Sequence, residues 1–394
     1  MAMKTMSGYY VEAEWKPRSE AHIRQEELKN RMISRGSLAW KNVKGYLRND
    51  LPYPECGDMQ LILQVEACGI CGSDTSLFLS DMDGYTDYAS QCSFPVVIGH
   101  EFSGRVVEVG SKVDRFSIGD YVTCESIQWC GKCDACRRGN VNLCEHRRMI
   151  GFDRQSSGAM AQFIAVDEKY CWSLNALRSL YKERDVFELG ALVEPCSCAF
   201  EAIVHNSKGI FPGDNAVIMG AGTTGLAALQ LLKTMGAAKI IIFEPIPRRR
   251  KLAIKMGADY ALDPFADCLF SEVLMDITRG QGFGFAVEAS SNPSRNFLLL
   301  DNVMRNNAQV VCVSMAPLYP RLDYMSVIRN NLTYSGSYGH AGKGNFGQVI
   351  NLMASKRIEM LPFITARYPL AQIEKAIKES ISKREGKIMI LPSM

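Results

Sequence analysis

The chain has 394 residues, 47% of them hydrophobic and 22% charged, with a formal net charge of +3 at pH 7. That length exceeds one ordinary hydrophobic core and points to two or three domains. The near-balanced charge argues against a nucleic-acid partner, and no apolar run reaches the roughly 20 residues of a bilayer span. The N-terminal residues lack the apolar core of a signal peptide, so a cytoplasmic protein is expected. The 14 cysteines are then expected as metal ligands and reduced core thiols rather than disulfides.

In chain order, residues 9–15 read as a first strand, and the charged stretch 18–35 as a surface helix or a disordered arm. His22 in that stretch has no sequence partner and reads as solvated surface. Residues 61–68 alternate as a strand that delivers the chain to Cys71. Residues 81–92 form a polar loop with aromatics that could roof a pocket. Strands at 105–110, 120–124 and 161–166 follow, joined by Gly-containing turns. Near residue 196 the pattern changes. A helical stretch at 197–207 leads into strands at 215–219, 239–243, 285–288 and 309–313 with helices between them, the alternation of a doubly wound parallel sheet. Two helices (346–355 and 371–382) and a closing strand (387–391) complete the chain.

Three constellations carry chemistry. Cys71-Gly-Ser-Asp74, Gly99-His100-Glu101 and Glu194-Pro195 offer the mixed S/N/O donors of a catalytic zinc with one open position. Cys196 and Cys198 stand close enough to Glu194 to compete for the third place. Each piece alone also reads as a core thiol or a turn. Cys130, Cys133, Cys136 and Cys144 form a C-x2-C-x2-C-x7-C set that can close a tetrahedron around a second, structural zinc and organise a loop poor in apolar residues. His146 beside that set is expected at the surface. Gly220-Ala-Gly222-Thr223-Thr224-Gly225 follows a strand, opens a helix and precedes a strand-end acid, Glu244, by 19 residues. This is the dinucleotide arrangement, with pyrophosphate at the helix N-terminus and the acid on the ribose hydroxyls. Glu244 favours NAD; Arg248, Arg249 and Arg250 just downstream leave NADP as the alternative.

In this order, and over nearly the whole chain, the motifs resemble the zinc-dependent medium-chain dehydrogenase/reductase family, in its polyol and threonine dehydrogenase branch. The resemblance is greatest to inosose and aminocyclitol dehydrogenases. It rests on the N-terminal insertion, on Gly84-Tyr85, and on Gly336-Ser-Tyr-Gly-His-Ala-Gly342. The resemblance implies an α/β protein, with a GroES-like β-rich catalytic domain (1–196, to which 339–394 return) and a Rossmann domain (197–338). The active site would lie in the cleft between them. It implies two zinc ions per chain, Glu194 as the third catalytic ligand and Glu101 approaching the metal as bound water leaves. Ser73 would be the proton-relay hydroxyl and Asp74 the carboxylate orienting His100. Ser76 stands where many relatives carry the outer relay His. His340 lies near a position where sorbitol-type relatives reach the polyol, and is expected to hydrogen-bond substrate or carry a proton. The implied reaction is hydride transfer between a secondary alcohol (a polyol, cyclitol or aminocyclitol) and a nicotinamide cofactor. Threonine or amino-alcohol oxidation is the alternative. A homodimer or homotetramer is implied, assembled partly through the Rossmann sheet.

Overall fold

The protein is described from a computed structural model that covers the chain apart from residues 1–3, 20, 267–269, 301, 316–320 and 341, and the side chains of 270, 294 and 295. Residue 341 of the 336–342 stretch and residue 20 of the charged insertion therefore lie outside the described residues. The chain divides into two units, Met1–Glu194 with Ala341–Ala354 and Ile364–Met394, and Pro195–His340 with Ser355–Phe363. The second unit thus claims a short piece of the stretch expected to return whole to the first.

The first unit is built on Gln60–Gly69, whose run of Leu61, Ile62, Leu63 and Val65 leaves almost no polar face. A strand buried on both sides needs partners along both edges. Gln60–Gly69 pairs antiparallel with Glu101–Val109, with Phe163–Asp167, and at its end with Lys387–Leu391. The last strand runs parallel to Ile364–Pro369. The sheet therefore brings Gly69, Glu101 and the start of the C-terminal strand to one end. A second sheet joins Thr5–Trp15 to Trp40–Pro52 and to Val96–Val97. Leu61, Val65, Phe102, Ile150, Phe152 and Ile390 are buried in one continuous core.

The second unit is a six-stranded parallel sheet. Its strands are Asn215–Met219, Lys239–Phe243, Tyr260–Leu262, Phe283–Glu288, Met304–Cys312 and Thr333–Gly336. In space they run third, second, first, fourth, fifth, sixth. That order reverses direction beside the first strand, where dinucleotides bind in such folds. The central strands are buried throughout, as a sheet covered on both faces requires.

One expected boundary moves. The helix expected over 197–207 begins instead at Glu183 and runs to Phe200, with Pro195 inside it; a π-helical turn, Glu201–His205, follows. Proline removes a backbone donor and crowds the preceding turn, so its local preference is against continuing a helix. Flanking residues buried on both sides of Pro195 hold the helix together across it. The charged insertion forms a six-residue helix, Gln25–Asn30, followed by a bridge from Ile33 to Cys92. His22 and His146 are exposed, as expected. Among the described residues no cysteine is in a disulfide.

Glu27 holds the insertion's turn, accepting from the Arg24 backbone and side chain and from the Ser34 N–H. Burial works against its charge, but these donors prevail and bring its pKa down to about 2. A depressed carboxylate contributes stability that is present above its ordinary pKa and is lost as pH falls toward the folded value. Amide exchange at Ser34 should therefore accelerate, relative to the sheet core, as pH drops from about 4.5 toward 2. Glu27→Gln should bring the same acceleration at neutral pH. An exchange rate at Ser34 insensitive to the substitution would remove this role.

Candidate metal centres and dinucleotide crevice

The end of Gln60–Gly69 hands the chain to Cys71, which starts a short helix, Gly72–Ser76. Asp74 folds back so that Oδ2 accepts the Cys71 N–H at 2.9 Å. Its other oxygen, Oδ1, lies 3.4 Å from His100 Nδ1. Neither atom completes a hydrogen bond in this geometry. Both side chains are almost fully inaccessible, 0% for Asp74 and 2% for His100. Burial opposes an imidazolium at His100, but the Asp74 carboxylate, with help from Cys71, outweighs it and holds the pKa well above the usual histidine value. With Nδ1 turned to Asp74, Nε2 faces the Ser73 side, 3.5 Å from Ser73 Oγ. Gly99 supplies the left-handed backbone (φ +98°) that turns the chain into His100, and a side chain there would strike Met160 and Cys68.

The ligating atoms of Cys71, His100 and Glu101 lie within 4.8 Å of one another. Glu194 falls outside that group. It sits in the same unit, with Oε1 accepting from Ser126 Oγ at 3.0 Å, and its charge adds to the effect of burial in pushing the Glu101 pKa up. Cys196 and Cys198, the competing candidates, are likewise outside it. Glu101 is engaged by a residue that the sequence reading did not single out. Lys387, 2% exposed, donates from Nζ to Glu101 Oε1 and Oε2 at 2.8 and 2.5 Å, and to the Ile70 carbonyl at 3.0 Å. Burial raises the Glu101 pKa, with Lys387 pulling the other way. The lysine heads an otherwise apolar closing strand. That placement was the available signal, since a fully buried lysine must have a charged partner.

Cys130, Cys133, Cys136 and Cys144 form the other group within 4.8 Å. Backbone N–H groups of Lys132 and Cys133 each point at Cys130 Sγ, 3.4 Å away, and lower its pKa to about 6. Cys133 is lowered in the same way. Burial pushes Cys136 and Cys144 the other way, upward; four converging sulfurs, two of them poised by backbone donors, fit a closed tetrahedral zinc site.

In the second unit, Gly222 precedes the helix Thr223–Thr234 without a side-chain cap, leaving the N–H groups of its first turn for a ligand. Gly225 packs so closely that a Cβ would sit 1.9 Å from the Gly220 carbonyl oxygen. Glu244 reaches across with Oε2 accepting the Ala221 N–H and Oε1 the Ile246 N–H, each at 2.9 Å. Arg250 gives its guanidinium to the Glu244 and Pro245 carbonyls and to Asp263. Arg248 is exposed and Arg249 half-buried. His340, expected at a substrate-facing loop or the surface, is 1% exposed, and it is absent from both ligand groups.

Residues 57–176 match the family described as alcohol dehydrogenase GroES-like domain, and 223–355 the family described as zinc-binding dehydrogenase. The chain belongs to the zinc-dependent medium-chain dehydrogenase/reductase family and is an oxidoreductase. It is similar to scyllo-inosose 3-dehydrogenase of Thermotoga maritima, with 37% identity over 95% of this chain and 96% of that one. It is also similar to D-arabitol-phosphate dehydrogenase of Enterococcus avium, with 34% identity over 86% and 92%. A solved structure from Thermotoga maritima, assigned to the alcohol dehydrogenases, superposes with a TM-score of 0.92 at 36% identity, covering 98% of this chain and 100% of that one. Among the described residues, no helix is long and apolar enough to cross a membrane.

Elemental analysis should find two zinc equivalents per chain. Cys71→Ser should remove one and leave the fold intact, while Cys133→Ser should remove the other and lower the unfolding temperature. Equal metal content in wild type and Cys71→Ser would dismiss the first site.

Proposed function

We propose that the enzyme oxidises a secondary alcohol of a cyclitol or related polyol to the ketone, delivering the hydride to NAD. The observation that carries this is the convergence of Cys71, His100 and a carboxylate, with Asp74 behind the imidazole, in a chain similar over its whole length to a scyllo-inosose 3-dehydrogenase. In this reading Cys71, His100 and Glu194 hold the catalytic zinc. Glu101 has both oxygens committed to Lys387, which favours Glu194 as the carboxylate ligand. A zinc ion held there supplies Lewis-acid polarisation of an alcohol oxygen.

The chain's own groups do the rest. Asp74 fixes the His100 ring and keeps Nε2 for the metal. Ser73, whose Oγ lies on that side of the ring, takes the alcohol proton. Ser76 does not extend the relay through its side chain, because its hydroxyl donates to the Ser73 carbonyl at 2.8 Å. The proton leaves Ser73 to water. His340 is the residue we place against a substrate hydroxyl. The four cysteines hold a structural zinc that takes no part in turnover.

Gly220, Gly222, Thr223, Thr224 and Gly225 cradle the pyrophosphate, and Glu244 binds the adenosine ribose. The choice of NAD over NADP follows from charge. A buried carboxylate at Glu244 repels a 2′-phosphate, and Arg250 is spent on its own loop. Arg249 then flanks the cofactor rather than selecting NADP. We place the protein in the cytoplasm as a homodimer or homotetramer, with the edge strand Thr333–Gly336 of the parallel sheet at the assembly surface.

A cofactor-reduction screen over cyclitols, linear polyols, aminocyclitols and L-threonine, with NAD and NADP, tests this reading. Turnover of a cyclitol with NAD is the expected result. Turnover confined to L-threonine would move the enzyme to the amino-alcohol class. Glu244→Ala should shift the NADP-to-NAD ratio of kcat/KM by about tenfold toward NADP; an unchanged ratio would take the ribose role from this residue. His340→Ala should alter kcat or KM for the true substrate, and unchanged values would end its assignment.

A further inference from the structure

Arg18 and residues 32–42, parts of the charged insertion and the start of the strand after it, lie against the loop 81–92. Arg18 pairs with Asp81 and stacks on the Tyr85 ring, its guanidinium carbon 3.8 Å from the centroid. The Gly36 and Ser37 N–H groups donate to the Ser90 and Tyr88 carbonyls at 3.0 and 3.1 Å. Trp40 Nε1 donates to the Cys92 carbonyl at 3.2 Å. The fit is close enough that a Cβ on Gly36 would lie 2.7 Å from Cys92 Sγ.

Two routes lead from this contact to the metal-ligating side chains. The first passes through Thr86, whose N–H donates to the Trp40 carbonyl at 3.0 Å. Its buried hydroxyl donates to the Leu77 carbonyl at 2.9 Å and approaches the Ser76 carbonyl at 3.2 Å. These carbonyls end the short helix that starts at Cys71 and carries Ser73 and Asp74. A helix of five residues cannot hold its own geometry in isolation and takes it from what it is tied to. The second route passes through Tyr88. Its ring stacks on Phe152 with centroids 4.7 Å apart and planes at 3°. Phe152 in turn packs against the His100 ring at 5.1 Å. Both aromatic side chains are buried, so neither can shift without displacing its neighbour.

We propose that Arg18 and residues 32–42 act as a strap that positions the zinc ligands Cys71 and His100, with Thr86 and Tyr88 as the positioning residues that transmit its hold. The proposal rests on the assignment of a zinc ion to Cys71 and His100. It goes beyond that assignment by giving the insertion and the loop a role in how firmly and in what geometry the ion is held.

The test uses full-length enzyme in its zinc form and with cobalt in the accessible site. Thr86→Val keeps the shape of the side chain and removes its donor; Tyr88→Leu removes the stack. Expected are release of the accessible ion to a chelator about tenfold faster than in wild type, a changed cobalt d–d absorption, and a fall in kcat with KM little moved. Thr86→Ser should restore wild-type release. The four-cysteine ion, in the same sample, should leave at the wild-type rate and report that the variants are folded. Arg18→Gln, which loosens the strap at the surface, should speed release in the same direction. Wild-type release rates and cobalt spectra in both Thr86→Val and Tyr88→Leu would overturn the proposal while leaving the zinc assignment standing. A wild-type chain whose metal content is unaffected by Cys71→Ser would instead remove the zinc assignment, and the strap's role with it.

Discussion

A buried carboxylate faces a buried imidazole at Asp74 and His100, and the chemistry of the first unit depends on that contact. Neither group would be stable alone in so dry a place. Together they fix which ring nitrogen is left for a metal, and Asp74 also ties back to the Cys71 N–H. One side chain thus sets the direction of two proposed ligands contributed by separate segments. Its position follows from the helical turn after Cys71, and so from the strand that delivers that turn.

The same end of the sheet concentrates more buried charge than most of a protein core can hold. Glu101, Glu194 and Lys387 share it with Asp74 and His100. The charges are partly balanced. Lys387 satisfies Glu101, and Ser126 gives Glu194 a hydrogen bond. Burial, with a smaller push from Glu194, still raises the Glu101 pKa. A divalent cation brought there meets an excess of negative and thiol donors, which is what an ion-binding centre with an exchangeable position requires. Stability is given up locally to build it, since ion pairs of this depth rarely exceed their desolvation cost.

The second unit solves a different problem by backbone alone. The uncapped helix start at Gly222 and the tight approach of Gly225 to Gly220 leave donors and space for phosphate without any charged side chain. Glu244 closes the same crevice by accepting the Ala221 and Ile246 N–H groups. The four-cysteine lobe is of a third kind: its small apolar content leaves converging sulfurs and backbone N–H groups to define its shape.

Much of this was legible in the residues themselves. Strand periods at 61–68, 215–219, 239–243 and 387–391, the cysteine spacing, and the glycine fingerprint with its strand-end acid all depend on near neighbours in the chain, and local pattern carries such information. The helix through Pro195 was not legible, because a proline's local preference is overridden only by burial from elsewhere in the fold. Nor was Lys387: its partner Glu101 is far away in sequence, and only the pairing of the first sheet's central strand with both the Glu101 strand and the C-terminal strand brings them together. The hold of the insertion on the loop at 81–92 is of the same long-range kind. Sequence determined which groups were available for chemistry; tertiary structure decided which of them meet, because hydrogen bonds and ion pairs between distant segments depend on strand register and leave no period in the chain.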